Sequence, residues 1–174
     1  MFHYLEPFAP NTSVFRNNKI GIKDCAIYDA IVLSPGPGLP KDAGIMPELI
    51  KTYAGKKPIL GICLCMQALA EYVGANIYNM QEVVHGLATE CVLCDENDPL
   101  FKNLPNKFNV GRYHSWAVDY KTLPPHCIIS SKDNKETIMS FYNSSKKINA
   151  VQFHPESVLT EYGKEIIKNW VESL

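Results

Sequence analysis

Short apolar runs closed by turn residues dominate this 174-residue chain, and long amphipathic stretches are few. Residues 59–62 form one run, Ile-Leu-Gly-Ile, which reads as a buried strand; residues 68–72 beyond it read as the first turns of a helix, with Gly74 as its stop. Residues 30–33 predict another strand, and residues 46–53 a helix that places Met46, Leu49, Ile50 and Tyr53 on one face. Residues 1–6 read as the tail of an amphipathic helix carrying Phe2, Tyr4 and Leu5, ended by Pro7, Pro10 and the Asn11-Thr12-Ser13 turn cluster. Residues 13–16 predict a short strand. Beyond Gly74 the strand candidates are 90–93, 106–112, 127–130, 137–142 and 148–153, and residues 161–174 close as a helix with Tyr162, Ile166, Trp170 and Val171 among its apolar positions. Alternating βα units followed by a strand-rich half predict an open α/β sheet with an antiparallel extension.

Three of these junctions carry candidate chemistry. The strand at 59–62 ends at Cys63, immediately before a helix. A side chain at a sharp strand-to-helix turn is pushed out of the ladder, and the positive helix end beside it lowers a thiol's pKa towards the reactive thiolate. A buried, inert cysteine is the competing reading. The run Ala150-Val151-Gln152-Phe153 ends in His154-Pro155-Glu156-Ser157. His154 can serve as base to a thiol and Glu156 can orient it, with Pro155 stiffening the link. Alternatively, His154 merely ends a strand and Glu156 opens a helix near its positive end. The strand at 30–33 runs into Ser34-Pro35-Gly36-Pro37-Gly38-Leu39-Pro40, where prolines fix φ and glycines admit close backbone approach. Such a rigid loop presents main-chain N–H groups, the material of an oxyanion hole; an ordinary surface turn needs fewer prolines.

Length suits one domain over residues 1–174, with a core large enough for independent stability. A net charge of −1 implies no general attraction to nucleic acid or an anionic membrane. No apolar run reaches membrane-spanning length and no signal peptide is visible. Six cysteines in a chain of this size do not read as a small secreted disulfide scaffold, so a reducing, cytoplasmic setting is expected. Cys63, Cys65, Cys91 and Cys94 could in principle supply four thiolates to zinc, and Cys91 and Cys94 could form a redox pair. The surroundings of Cys91 read as a strand rather than a metal knuckle.

Taken together, Gly61-x-Cys63-x-Cys65-x-Gln67, the Ser-Pro-Gly-Pro-Gly-x-Pro loop and Gln152-Phe153-His154-Pro155-Glu156-Ser157 resemble the motifs of class I, triad-type glutamine amidotransferases, in that family's order. A fourth stretch, Gly111-Arg112-Tyr113-His114-Ser115-Trp116, resembles a segment of the branch that serves chorismate-using synthases: anthranilate synthase component II and its aminodeoxychorismate synthase counterpart. The resemblance implies an open, mostly parallel, flavodoxin-like sheet flanked by helices. Two departures stand out. Cys65 occupies a family glycine position, so overpacking is expected there. Family members also open with a strand and an Asn-Tyr-Asp-Ser-Phe segment before the first helix, so a sheet lacking its first strand is expected.

By the same resemblance, Cys63 attacks the side-chain amide of L-glutamine, His154 moves the proton and Glu156 orients His154. Backbone N–H groups of Leu64 and Gly36, the latter in the loop with Pro37 and Gly38, would hold the oxyanion. Gln67 and the main chain at Ser115 and Trp116 would hold the amino-acid end of the substrate. Ammonia would pass to a chorismate-binding synthase subunit carrying Mg²⁺, with no metal or cofactor on this chain. His114 and His85 rank below His154 as bases. Competing readings are the aminodeoxychorismate glutaminase, a stand-alone cysteine hydrolase of the same fold and an inactive binding-only homologue.

Overall fold

The computed structural model describes residues 1–36 and 38–174. Seven strands form one mixed sheet in the order β1-β2-β7-β6-β5-β3-β4. The strands are β1 (Ile31–Leu33), β2 (Ile59–Ile62), β3 (Ile77–Leu93), β4 (Lys107–Val118), β5 (Ile128–Asp133), β6 (Ile138–Asn143) and β7 (Ile148–Val151). Parallel pairing joins β1 to β2 and β2 to β7, while every pairing from β7 through β6, β5 and β3 to β4 is antiparallel. The open α/β sheet with an antiparallel extension is therefore present. β1 ends the strand order, with no strand beyond it among the described residues.

The apolar runs behave as two-sided core strands. All four residues of β2 are buried, and they alternate between two cores. Ile59 packs with Ile148 and Ala150 of β7 against α2 (Met46–Tyr53) and α3 (Leu64–Tyr72). Leu60 and Ile62 pack with Val151 and Phe153 on the other face, against Ile166, Ile167 and Trp170 of α4 (Gly163–Glu172). Each such side chain contributes about 2 kcal/mol when fully buried, so sequences of this kind are apolar throughout rather than alternating. The helix predicted at 46–53 has those bounds, with Met46, Leu49, Ile50 and Tyr53 all buried. Gly74 follows α3 at φ +100°, as a helix stop requires.

Three expectations differ. Residues 13–16 form no strand: Val14 and Phe15 are exposed, and no neighbouring strand offers these residues a ladder. The first helix, α1 (Phe2–Leu5), is a single turn with only Leu5 buried. The strand expected at 90–93 is the last part of β3, whose first half has no buried residue and mixes exposed with half-buried positions without a regular period. That half pairs with β4, with irregular register between Asn79 and Val84 and again between His85 and Leu87.

Candidate active site

Cys63 sits between β2 and α3 with φ 54° and ψ −108°, outside the regions L-residues normally occupy. Such a conformation costs on the order of 1–3 kcal/mol and persists only where surrounding structure over-determines it. Here the Cys63 amide donates to Val151 O at 2.8 Å and its carbonyl accepts from Gln67 N at 3.3 Å. Gly61 supplies the clearance. A Cβ at that position would lie 2.4 Å from Leu69 Cδ1 and 3.0 Å from the Cys65 carbonyl carbon, so only glycine lets α3 rest this close to β2. The result is a nearly buried thiol at the amino end of a helix whose first N–H groups, beginning with that of Leu64, lack helical partners.

His154 and Glu156 follow β7 in a loop held from several sides. His154 N donates to Gly111 O at 3.0 Å, and His154 O accepts from Thr160 Oγ1 at 2.6 Å; Thr160 Oγ1 also takes the Gly111 amide at 2.9 Å. From α4, Gly163 closes on the loop so tightly that a Cβ there would sit 2.0 Å from Pro155 O. His154 Nδ1 pairs with Glu156 Oε1 at 3.1 Å. Glu156 therefore faces the imidazole and begins no helix.

Burial alone would lower the pKa of His154. Cys63 and the Glu156 carboxylate outweigh it and raise the imidazole to about 9. His154 Nε2 is buried and has no hydrogen-bond partner among the described residues. Glu156 is also partly buried, but the His154 hydrogen bond holds its carboxyl below the usual range. Tyr113 packs edge-on against His154, with ring centroids 5.0 Å apart, and its hydroxyl reaches Ser157 Oγ at 3.1 Å. Tyr113, His154, Glu156, Ser157 and the fully exposed Val158 line an open hollow of about 400 Å³.

The Pro-Gly loop meets the same helix. Cys65, expected to overpack, is instead accommodated: it is buried and its thiol donates to Ser34 O at 3.3 Å. Burial, and then Cys63, push its pKa up to about 12, so it stays a thiol. Gly36 and Gly38 are exposed, and a Cβ on either would meet nothing within 4 Å. Gly38, at φ +93°, adopts a backbone that favours glycine. Pro37 lies outside the described residues.

The whole chain, residues 1–174, matches the family described as Glutamine amidotransferase class-I. The chain belongs to that family. Anthranilate synthase component 2 of Lactococcus lactis subsp. lactis is 42% identical over 147 residues, covering 84% of this chain and 74% of that protein. Aminodeoxychorismate/anthranilate synthase component 2 of Bacillus subtilis is 34% identical over 175 residues, covering 99% and 89%. Some relatives are longer: the chain spans 46% of a multifunctional tryptophan biosynthesis protein of Pichia angusta, at 37% identity. A solved glutamine amidotransferase from Thermotoga maritima has the same fold, with a TM-score of 0.68 at 22% identity, covering 91% of this chain and 67% of that one.

In this glutamine amidotransferase the remaining predicted positions are engaged in a buried polar network. Gln67 Nε2 donates to Trp116 O at 2.9 Å and to Gln152 Oε1 at 3.2 Å. The Trp116 carbonyl, expected to face substrate, accepts a second bond from His114 Nδ1 at 2.8 Å. His114 Nε2 accepts from Arg112 Nε at 3.0 Å, and Arg112 Nη1 pairs with Asp133 Oδ2 at 2.5 Å. With both nitrogens occupied, and burial and Arg112 lowering its pKa to about 4, His114 stays neutral and has no free nitrogen for a base. His85 is exposed, set edge-on to Tyr113 at 5.3 Å. Ser115 is half-buried in β4 beside these residues.

Sequence reasoning passed over Tyr113, Arg112, Asp133 and Gln152. The first two stand inside the fourth motif, and Gln152 is a polar residue within an apolar run, itself a signal. Among the described residues no three His, Cys, Asp or Glu side chains are grouped so as to hold a metal ion. Cys91 is fully buried, and its pKa is pushed up to about 12 by burial; Cys94 is exposed, its thiol donating to Ile129 O at 3.4 Å.

Proposed function

We propose that this amidotransferase is the glutaminase subunit of a chorismate-using synthase, with Cys63 as nucleophile, His154 as acid–base and Glu156 as the group that orients it. Cys63 Sγ gives its proton to His154 and attacks the side-chain amide carbon of L-glutamine, whose C=O electron pair moves onto the oxygen. The imidazole returns the proton to the departing nitrogen, the C–N bond breaks and ammonia leaves behind a γ-glutamyl thioester. Water, deprotonated by His154, then cleaves the thioester to glutamate and free thiol. The N–H groups of Leu64 and Gly36 stabilise the oxyanion, each worth about 3 kcal/mol. Gln67, the Ser115–Trp116 main chain and the main chain at Gly36 and Gly38 surround the substrate. The observation that carries this reading is the strained Cys63 at the head of α3 beside the His154–Glu156 pair.

The names of the Lactococcus and Bacillus relatives favour an anthranilate synthase partner, which would bind chorismate with Mg²⁺ and use the ammonia in tryptophan biosynthesis. The Bacillus name carries both branches, and this supports the aminodeoxychorismate partner as the second reading. Among the described residues the cysteines are all free, in keeping with a reducing cytoplasmic setting, and no helix is long and apolar enough to cross a membrane. The test is glutamate release from L-glutamine, with and without each candidate partner. Cys63→Ala should abolish glutamine-dependent product while synthesis from ammonia by the assembled complex survives. Loss of both activities in an intact complex would remove Cys63 from this role, and absence of glutaminase activity with either partner would favour a binding-only homologue.

A further inference from the structure

Gln152 is fully buried at the end of β7, with its side-chain amide between Gln67 and Cys63. Its orientation is dictated from outside. Arg112 Nε can only donate, so His114 Nε2 must accept, and the proton on His114 Nδ1 is directed to Trp116 O. A carbonyl can only accept, so the amide nitrogen of Gln67 must face Trp116. The second hydrogen on that nitrogen points to Gln152, which must turn its oxygen towards Gln67. What remains, the NH₂ group of Gln152, lies 3.7 Å from Cys63 Sγ, within reach of a hydrogen bond to the large sulfur atom. Flipping the Gln152 amide would set two NH₂ groups against each other and a carbonyl oxygen against the sulfur.

We propose that Gln152 is a positioning residue for the nucleophile. Its amide donates to the Cys63 sulfur, holds the side chain in place and favours the thiolate, while Gln67, Trp116, His114 and Arg112 keep the amide from reversing. A donor that bonds the charged form of a group stabilises that form. The mechanism uses His154 on the same sulfur to move the proton; Gln152 supplies a second donor that cannot take it. The proposal rests on the reading of Cys63 as nucleophile.

The test is the pH dependence of iodoacetamide alkylation of the full chain without substrate, with Cys63 modification followed by peptide mass. Gln152→Leu removes the donor, and Gln152→Glu replaces it with a carboxylate oxygen. Both should move the alkylation midpoint upward, by about one pH unit for Gln152→Leu, which is about tenfold slower modification at neutral pH. The limiting rate at high pH should be unchanged. Gln67→Met leaves Gln152 in place but frees its amide to turn, and should give a smaller upward shift of about threefold in rate at neutral pH. It serves as the deciding variant where melting shows the Gln152 variants unfolded. A midpoint equal to wild type in the folded variants overturns the proposal while leaving the nucleophile intact. Failure of the wild-type chain to be modified at Cys63 would instead remove the nucleophile reading, and this one with it.

Discussion

The Cys65 thiol donates to the carbonyl oxygen of Ser34 at 3.3 Å and so ties the first turn of α3 to the start of the Pro-Gly loop. Restoring glycine at this position removes that tie, leaves a small void and places glycine in a helix. Cys65→Gly should cost about 1–2 kcal/mol of stability. The KM for glutamine should rise more than kcat falls, because the loop is loosened and Cys63, the proposed nucleophile, is not altered. Thermal melts and steady-state glutaminase kinetics check this; a variant with higher stability and higher turnover would restore the overpacking view.

Gly163 lies directly under Pro155. Because a Cβ there would fall 2.0 Å from a backbone oxygen, no side-chain rotation can relieve the clash and the His-Pro-Glu loop must move. Displacing a reacting group by about 1 Å can cost ~100-fold in rate, so Gly163→Ala should lower kcat at least ~10-fold even where the fold survives. Wild-type turnover would mean that α4 has no part in fixing His154.

The His154–Glu156 pair makes a pH prediction. The imidazole is raised from its ordinary 6.5 to about 9 in the folded chain, with Cys63 and then Glu156 outweighing burial. Its contribution to stability is complete below pH 6.5 and is lost as pH rises through about 9. Glu156→Gln should bring that alkaline loss to lower pH and reduce kcat by roughly 100-fold, within the usual range for acid–base groups. Denaturant titrations at several pH values, alongside rate profiles, read both effects.

His114 has the opposite sign. Burial and Arg112 lower it from 6.5 to about 4, so the unfolded chain binds a proton in that interval that the folded chain refuses. Stability should therefore fall as pH drops from 6.5 towards 4, by up to ~3 kcal/mol from this residue. His114→Gln can still accept from Arg112 and donate to Trp116 without titrating, and should flatten that slope. An unchanged slope between pH 6.5 and 4 would mean that other groups govern acid unfolding.

Local sequence determined much of this protein. The helix at 46–53, the buried strand at 59–62 and the junctions carrying Cys63, His154 and Glu156 are legible because apolar runs flanked by Gly and Pro leave few local alternatives. Other features depended on neighbours. Residues 13–16 have β propensity, but a strand exists only where another strand supplies its hydrogen bonds. The first half of β3 has no regular period at all, and its pairing with β4 fixes it instead. Whether Cys65 crowds or ties its surroundings depended on where Ser34 O falls, 31 positions earlier. The direction of the hydrogen-bond chain from Arg112 to Cys63 was decided only in three dimensions, because donors and acceptors acquire a fixed order only when packing brings them together and excludes water.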